Sequence, residues 1–178
     1  MDYSSSGPVL ISSQRERQIS RFRAWIVLAV PLAAILFQFY VPRFFEFLGF
    51  IEMPLLVVVY FALVRRSQIA GLLTGALVGL AQDSLNKTPV GMLGIVNTLV
   101  GYFASSVGLR IDVDHAAIRF PLTFFFYCFY QLLYWVMVRA LMNRPMTLDW
   151  QRTLILALMN AIIGVALFHF LDKLRERS

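Results

Sequence analysis

Residues 71–101 decide the fold of this chain, and they read GLLTGALVGLAQDSLNKTPVGMLGIVNTLVG. Residues four apart lie on the same face of a helix. In lipid, glycines at this spacing let a second helix approach closely, because no side chain separates the two backbones. The stretch therefore predicts a tightly packed helix pair within a membrane. Its first half places three glycines and an acid on one stripe: Gly71, Gly75, Gly79 and Asp83.

The second half of the stretch supplies a turn and another apolar run. Pro89 suits the first position of a helix, where its missing N–H is not needed. Gly94 and Gly101 then repeat the small residues at roughly helical spacing. We expect a close antiparallel hairpin, packed internally or against a partner helix. The residues predicted for this packing or partner interface are Gly71, Gly75, Gly79, Asp83, Pro89, Gly91, Gly94 and Gly101.

Asp83 allows two interpretations. In the first, it lies near the membrane surface and caps the turn or the N-terminus of the next helix. In the second, it is a buried acid that binds a cation, a ligand or a partner helix, as intramembrane acids often do. Under the second interpretation, an Asp83→Asn variant folds normally but binds its partner less well.

The whole chain has the composition of a membrane protein. It contains 178 residues, of which 59% are hydrophobic and 15% charged, whereas soluble domains are about 45–50% apolar and about 25% charged. About 20 apolar residues cross a bilayer as a helix. The sequence predicts an all-α polytopic integral membrane protein, a single bundle of six transmembrane helices. The six apolar runs are 22–40, 48–64, 69–84, 89–109, 116–141 and 154–171.

Charge sets the expected orientation and the domain limits. With six spans and a cytoplasmic N-terminus, 11 of the 16 basic residues fall on the cytoplasmic side, as the positive-inside rule requires. The basic residues therefore orient the chain, and nucleic-acid binding is not expected. We expect a polar cytoplasmic tail at 1–21, the six-helix domain at 22–171 and a basic cytoplasmic tail at 172–178.

Polar residues within the predicted spans are few. Asn97, Gln131 and Asn160 are expected to face protein rather than lipid. The single cysteine, Cys128, excludes a disulfide within one chain. Motifs for nucleophilic, nucleotide-dependent or zinc-dependent catalysis do not occur, and the short run 112–115 (DVDH) offers too few ligands for a metal. We expect no enzymatic activity, no metal and no cofactor.

The hairpin resembles that of the MreD family of rod shape-determining proteins. The resemblance covers about 30 residues, namely the glycine stripe, Asp83, Pro89, Gly91, Gly94 and Gly101-Tyr102. The chain length, the six-span hydropathy and Asn160 in the last span agree with it.

The resemblance implies a multi-pass protein of the bacterial inner membrane. Such proteins belong to the cell-elongation machinery that builds peptidoglycan, the elongasome. They bind the single-span shape protein MreC and lie near MreB filaments, RodA and its transpeptidase partner. They have no known activity of their own. The implied role is a scaffold in cell-wall biogenesis, surrounded by membrane lipid and needing no small-molecule ligand.

A second interpretation comes from the fold implied by the resemblance. It is similar to that of the substrate-binding S-components of energy-coupling factor vitamin transporters. Those subunits use small residues of their first helix to contact the coupling subunit, and Ala29 and Ala33 occupy the first span here. The loop at 142–152 carries Arg144, Asp149, Trp150 and Arg152, which suit either a pocket rim or an interfacial anchor. An S-component-like subunit therefore remains the alternative.

Overall fold

The computed structural model describes residues 24–86, 89–113, 115–142 and 149–174. These residues form α-helices without any β-strand, which confirms the all-α prediction. The predicted tail at 1–21 and residues 175–178 of the predicted C-terminal tail lie outside the described residues. Two short 3-10 helices, Val41–Arg43 and Glu46–Phe50, join the first two α-helices. The six α-helices are α1 (Ala24–Tyr40), α2 (Met53–Arg65), α3 (Gln68–Asn86), α4 (Met92–Gly108), α5 (Ala116–Met142) and α6 (Trp150–Lys173).

The shortest helix, α2, forms the core of the bundle. Its 13 residues rise only about 20 Å, and every residue from Pro54 to Val64 is buried. A helix that is apolar on all sides must be surrounded by protein or by lipid. All five other α-helices pack against α2. The apolar run predicted from residue 48 therefore starts as a 3-10 helix, and the α-helix begins only at Met53, directly before Pro54.

Four helical segments are long and apolar enough to cross a membrane. They are Trp25–Arg43, Glu46–Arg65, Ala117–Leu141 and Trp150–Lys173. The apolar helix α4 is shorter, with 17 residues, and α3 combines its glycines with Gln82 and Asp83. Length and hydropathy thus support four of the six predicted spans, whereas α3 and α4 join the bundle mainly through close mutual packing. The cytoplasmic position of both termini stays a prediction.

The bundle has two ends with different chemistry. We call one the hairpin end, because the α3–α4 turn, the 3-10 helices and the start of α6 meet there around shared cavities. At the opposite end, which we call the termini end, α2, α5 and α6 are joined by polar side chains. Tyr60 Oη donates to Asp172 Oδ1 at 2.9 Å, and Arg119 Nη1 donates to Asp172 Oδ2 at 2.5 Å.

Candidate functional site

The glycine stripe of α3 lies directly on α4 of the same chain. A Cβ atom added to Gly75 would lie 2.7 Å from the carbonyl carbon of Asn97 and 3.0 Å from the Cα of Thr98. A Cβ atom added to Gly79 would lie 2.7 Å from the Cα of Gly94. These neighbours are backbone atoms, so they cannot swing away as a side chain could. The two helices thus touch backbone to backbone.

The contact between α3 and α4 is reciprocal and extends towards the termini end. A Cβ atom on Gly71 would clash with the carbonyl of Gly101, and one on Gly101 would clash with the carbonyl of Gly71. Gly108 of α4 continues the pattern against the backbone of Leu63 in α2. The small-residue faces of the hairpin are therefore covered by helices of this chain.

Asp83 closes the hairpin end of this helix pair. Its side chain is buried, and its two carboxylate oxygens accept three backbone hydrogen bonds from the start of α4. Oδ2 accepts from the N–H groups of Gly91 at 2.9 Å and Gly94 at 3.0 Å, and Oδ1 accepts from Leu93 at 3.0 Å. A helix leaves its first N–H groups without an internal partner, and a carboxylate there also favours the positive end of the helix dipole. Asp83 therefore caps α4 from the preceding helix.

Pro89 and Gly91 shape the turn that brings these N–H groups together. Met92 N donates to the carbonyl of Pro89 at 3.1 Å. Gly91 has a φ of 96°, in the left-handed region that side chains other than glycine rarely adopt. A Cβ atom at Gly91 would meet nothing within 4 Å, so the backbone angle and not crowding requires glycine there.

A buried amide pair crosses the hairpin one turn below Asp83. Asn97 Nδ2 donates to Gln82 Oε1 at 2.8 Å. Asn97 is fully buried, and its Oδ1 atom has no hydrogen-bond partner among the described residues. The predicted position of Asn97 facing protein therefore agrees with the structure, and Gln82 is a partner that the sequence did not indicate.

Two amide side chains from distant helices cap the start of α2. Asn160 Oδ1 accepts from Glu52 N at 2.9 Å, while Asn160 Nδ2 donates to the carbonyl of Phe50 at 2.9 Å. Gln38 Oε1 accepts from Met53 N at 3.2 Å. Glu52, the residue before the helix, makes no capping bond with its own side chain. The helix start is thus secured by α6 and α1.

A cleft lies at the hairpin end between these caps and α5. It consists of two cavities of about 290 and 220 Å³ that share Glu52, Gln131 and Tyr134. One face of α5 forms a wall, because its lining residues recur at spacings of three and four. The lining residues from the helices and the α6 start are Gln38, Gln82, Asn86, Leu93, Tyr127, Tyr130, Gln131, Tyr134, Trp135, Asp149, Arg152, Thr153 and Leu156, with Gly49, Phe50 and Glu52 from the segment before α2.

Asp149 and Arg152 stand at the rim of the cleft, where the loop after α5 leads into α6. Asp149 Oδ1 accepts from Arg152 N at 3.2 Å and so caps α6. The Arg152 guanidinium lies over the Phe50 ring, 5.7 Å from its centroid. Both residues belong to the loop that the sequence offered as a pocket rim or an anchor. Arg144 of that loop lies outside the described residues.

Some residues that organise the structure could not be inferred from the sequence. Gln131 was predicted to face protein, and it faces the cleft. Glu52 and Gln38 were not singled out, because each stands near the end of an apolar run where a polar residue is ordinary. Arg119 gave a usable signal, since a basic residue inside a predicted span needs a partner, and Asp172 provides it.

The part of the chain that the structure describes contains no group of three or more His, Cys, Asp or Glu side chains able to hold a metal.

A family model described as rod shape-determining protein MreD matches residues 17–176. None of the curated proteins and none of the solved structures matches the chain. The family match spans the glycine stripe, its Asp83 cap and the cleft together.

Proposed function

The chain belongs to the MreD family of rod shape-determining proteins, and we propose that it is a non-catalytic scaffold of the cell-elongation machinery in the bacterial inner membrane. Family membership supports a role in rod-shape determination, and the four long apolar helices fit a multi-pass membrane protein. The partner that we propose is a single-span MreC-like protein. MreB, RodA and its transpeptidase would then lie nearby in the same assembly.

The observation that carries the scaffold proposal is an exposed small-residue face on α1. The glycine faces of α3 and α4 are covered by this chain, so they are not available to a partner. In α1, by contrast, Ala29 and Ala33 are exposed, one turn apart on the same side. Ala34 is turned into the bundle and is 8% exposed.

Leucines flank the two exposed alanines and complete a docking surface for a helix. Leu28 is 73% exposed, Leu32 55% and Leu36 43%. In lipid, helices associate through close van der Waals packing at small residues, and flanking leucines fill the sides of such a contact. We therefore place the transmembrane helix of the MreC-like partner along Ala29 and Ala33 of α1.

The test is a mild-detergent affinity purification from the native membrane, with mass spectrometry of the proteins recovered. In the double variant Ala29→Leu/Ala33→Leu, the added side chains hold the partner backbone away. We expect recovery of the single-span partner to fall about tenfold, which corresponds to the roughly 1–2 kcal/mol of a good intramembrane helix contact.

The matched control is Ala166→Leu, which makes the same change at an exposed alanine of α6. It should leave partner recovery unchanged. Full recovery of the single-span partner with the α1 double variant would show that the partner does not bind at Ala29 and Ala33. Absence of any single-span partner from the wild-type preparation would contradict the scaffold function itself.

The cleft favours a second candidate function, a substrate-binding subunit similar to transporter S-components. In that case, α1 would contact a coupling subunit, and the cleft would hold the substrate. The same purification separates the two functions. Recovery of an ATPase-linked coupling subunit together with a vitamin-like molecule would support the transporter subunit and overturn the scaffold.

A further inference from the structure

Ionisable side chains of opposite sign, Glu52 and Asp149 on one hand and Arg152 on the other, face the cleft. Glu52 lines both cavities, and Arg152 lines the larger one. Among the described residues, neither Glu52 nor Arg152 forms a salt bridge. A half-buried carboxylate without a protein partner is costly unless water or a ligand compensates it, whereas Arg152 is exposed and its guanidinium is accessible to a ligand.

The capping of α2 explains why the Glu52 carboxylate is free. An acidic residue in this position normally accepts hydrogen bonds from the first N–H groups of its helix. Here the second helical residue is Pro54, which has no N–H to donate, and Asn160 and Gln38 accept from the N–H groups of Glu52 itself and of Met53. The Glu52 carboxylate makes no hydrogen bond to any residue that the structure describes, and it borders the cavity space that its neighbours leave open.

Aromatic rings line the cavity that Glu52 borders, and they suit a cationic group. Tyr127, Tyr134 and Trp135 line the same cavity as Glu52. The faces of such rings attract an ammonium group, and the attraction is strongest where water is scarce. A carboxylate with aromatic walls therefore selects for an amine, whereas the Arg152 guanidinium at the rim selects for an anion such as phosphate.

We propose that the cleft binds an ammonium–phosphate zwitterion, with the ammonium group at Glu52 and the phosphate group at Arg152. The proposal does not depend on the scaffold function. The position of the cleft favours a lipid headgroup as the source, because exposed aromatic residues typical of the membrane interface surround the same end of the bundle. They include Tyr40 and Trp150, which are 52% and 61% exposed.

The experiment is native mass spectrometry of the purified full-length protein titrated with defined lipids. The probes are phosphatidylethanolamine, its N-acetylated form, which has lost the positive charge, and phosphatidylglycerol. We expect phosphatidylethanolamine to bind about tenfold more tightly than either of the others, as one charge-assisted contact predicts. Equal affinity of the wild-type protein for the native and the N-acetylated lipid would overturn the proposal without any variant being needed.

Variants assign the two contacts. Glu52→Gln removes the charge but keeps the shape, and the Glu52 side chain makes no capping bond that the variant would lose. We expect this variant to bind phosphatidylethanolamine about tenfold more weakly and phosphatidylglycerol with little change. Arg152→Gln should weaken both lipids. The matched controls are Glu46→Gln and Arg110→Gln, at exposed positions that do not line the cleft. Wild-type affinity in Glu52→Gln would contradict the proposal.

Soluble phosphoethanolamine distinguishes the two sources of this chemistry. If it displaces the lipid at a comparable concentration, the ligand is a free zwitterion; if it fails while the lipid binds, the ligand is a membrane headgroup. Displacement of the lipid by a co-purified partner polypeptide, with no competition between lipid forms, would assign the cleft to protein binding and overturn the proposal.

Discussion

At the scale of single residues, Asp83 shows how a buried acid becomes tolerable near the end of α3. Its two oxygens accept three hydrogen bonds from backbone N–H groups, which have no other intrahelical partner. The carboxylate and the helix start therefore satisfy each other. The same geometry accounts for Gly91, whose positive φ turns the chain so that these N–H groups converge on Asp83.

This geometry changes the expected outcome of Asp83→Asn. From the sequence, the variant was expected to fold normally and to lose partner binding. In the structure, an amide NH₂ would replace one acceptor and face backbone donors. We expect a loss of about 1.5–3 kcal/mol in the free energy of unfolding, typical of a hydrogen bond to a charged group. Unfolding in detergent, monitored by thermal size-exclusion chromatography, measures it.

The control for Asp83→Asn is Glu46→Gln, which neutralises an exposed carboxylate at the same end and should leave the unfolding midpoint unchanged. A wild-type midpoint for Asp83→Asn would mean that the capping bonds add nothing to stability. That result would favour the interpretation in which Asp83 binds a partner helix.

At the scale of helices, α3 and α4 behave as one unit. The backbone contacts at Gly75 and Gly79 place the two helices closer than larger side chains would permit. Neither helix is among the segments that are long and apolar enough to cross a membrane alone. Their close packing therefore compensates for limited hydropathy.

Gly75→Leu tests this packing. Because the nearest atoms are backbone atoms of Asn97 and Thr98, the helices must move apart to admit any side chain. We expect more than the 1–3 kcal/mol that overpacking typically costs, seen as loss of the monodisperse folded fraction in detergent. Leu77→Ala is the control, since Leu77 is 66% exposed on the same helix. Normal assembly of Gly75→Leu would refute the close contact.

At the scale of the whole molecule, α2 is tied at both ends to helices that are distant in the sequence. At the hairpin end, Asn160 of α6 holds the segment before α2. At the termini end, Tyr60 of α2 reaches Asp172, which also pairs with Arg119 of α5. A buried central helix held in this way gives the rigid frame on which an exposed α1 face and the cleft depend.

Asn160→Ala tests the tie at the hairpin end. The substitution leaves the N–H of Glu52 and the carbonyl of Phe50 without partners in a half-buried site. Each orphaned group costs about 1–3 kcal/mol, so we expect a clear fall in thermal stability together with altered lipid binding in the cleft. Leu158→Ala, on the exposed face of the same helix, should do neither. Equal stability of the two variants would show that Asn160 is dispensable.

The sequence by itself determined the features that depend on local spacing. The apolar runs placed six helices within a few residues of their observed bounds, and the four-residue spacing of Gly71, Gly75 and Gly79 set one packing face. Asp83 beside a proline and glycine turn already allowed helix capping as one of two interpretations. These features are local because helix periodicity and turn geometry act over only a few residues.

Only the tertiary structure decided which faces are covered and which groups meet. It placed the glycine stripe against α4 of the same chain and left Ala29 and Ala33 of α1 exposed. It also brought the backbone N–H of Glu52 into a hydrogen bond with Oδ1 of Asn160, which lies 108 residues later in the chain. No local pattern encodes such contacts, because they arise from the packing of all six helices around α2. The cleft and the ionisable side chains that line it exist for the same reason.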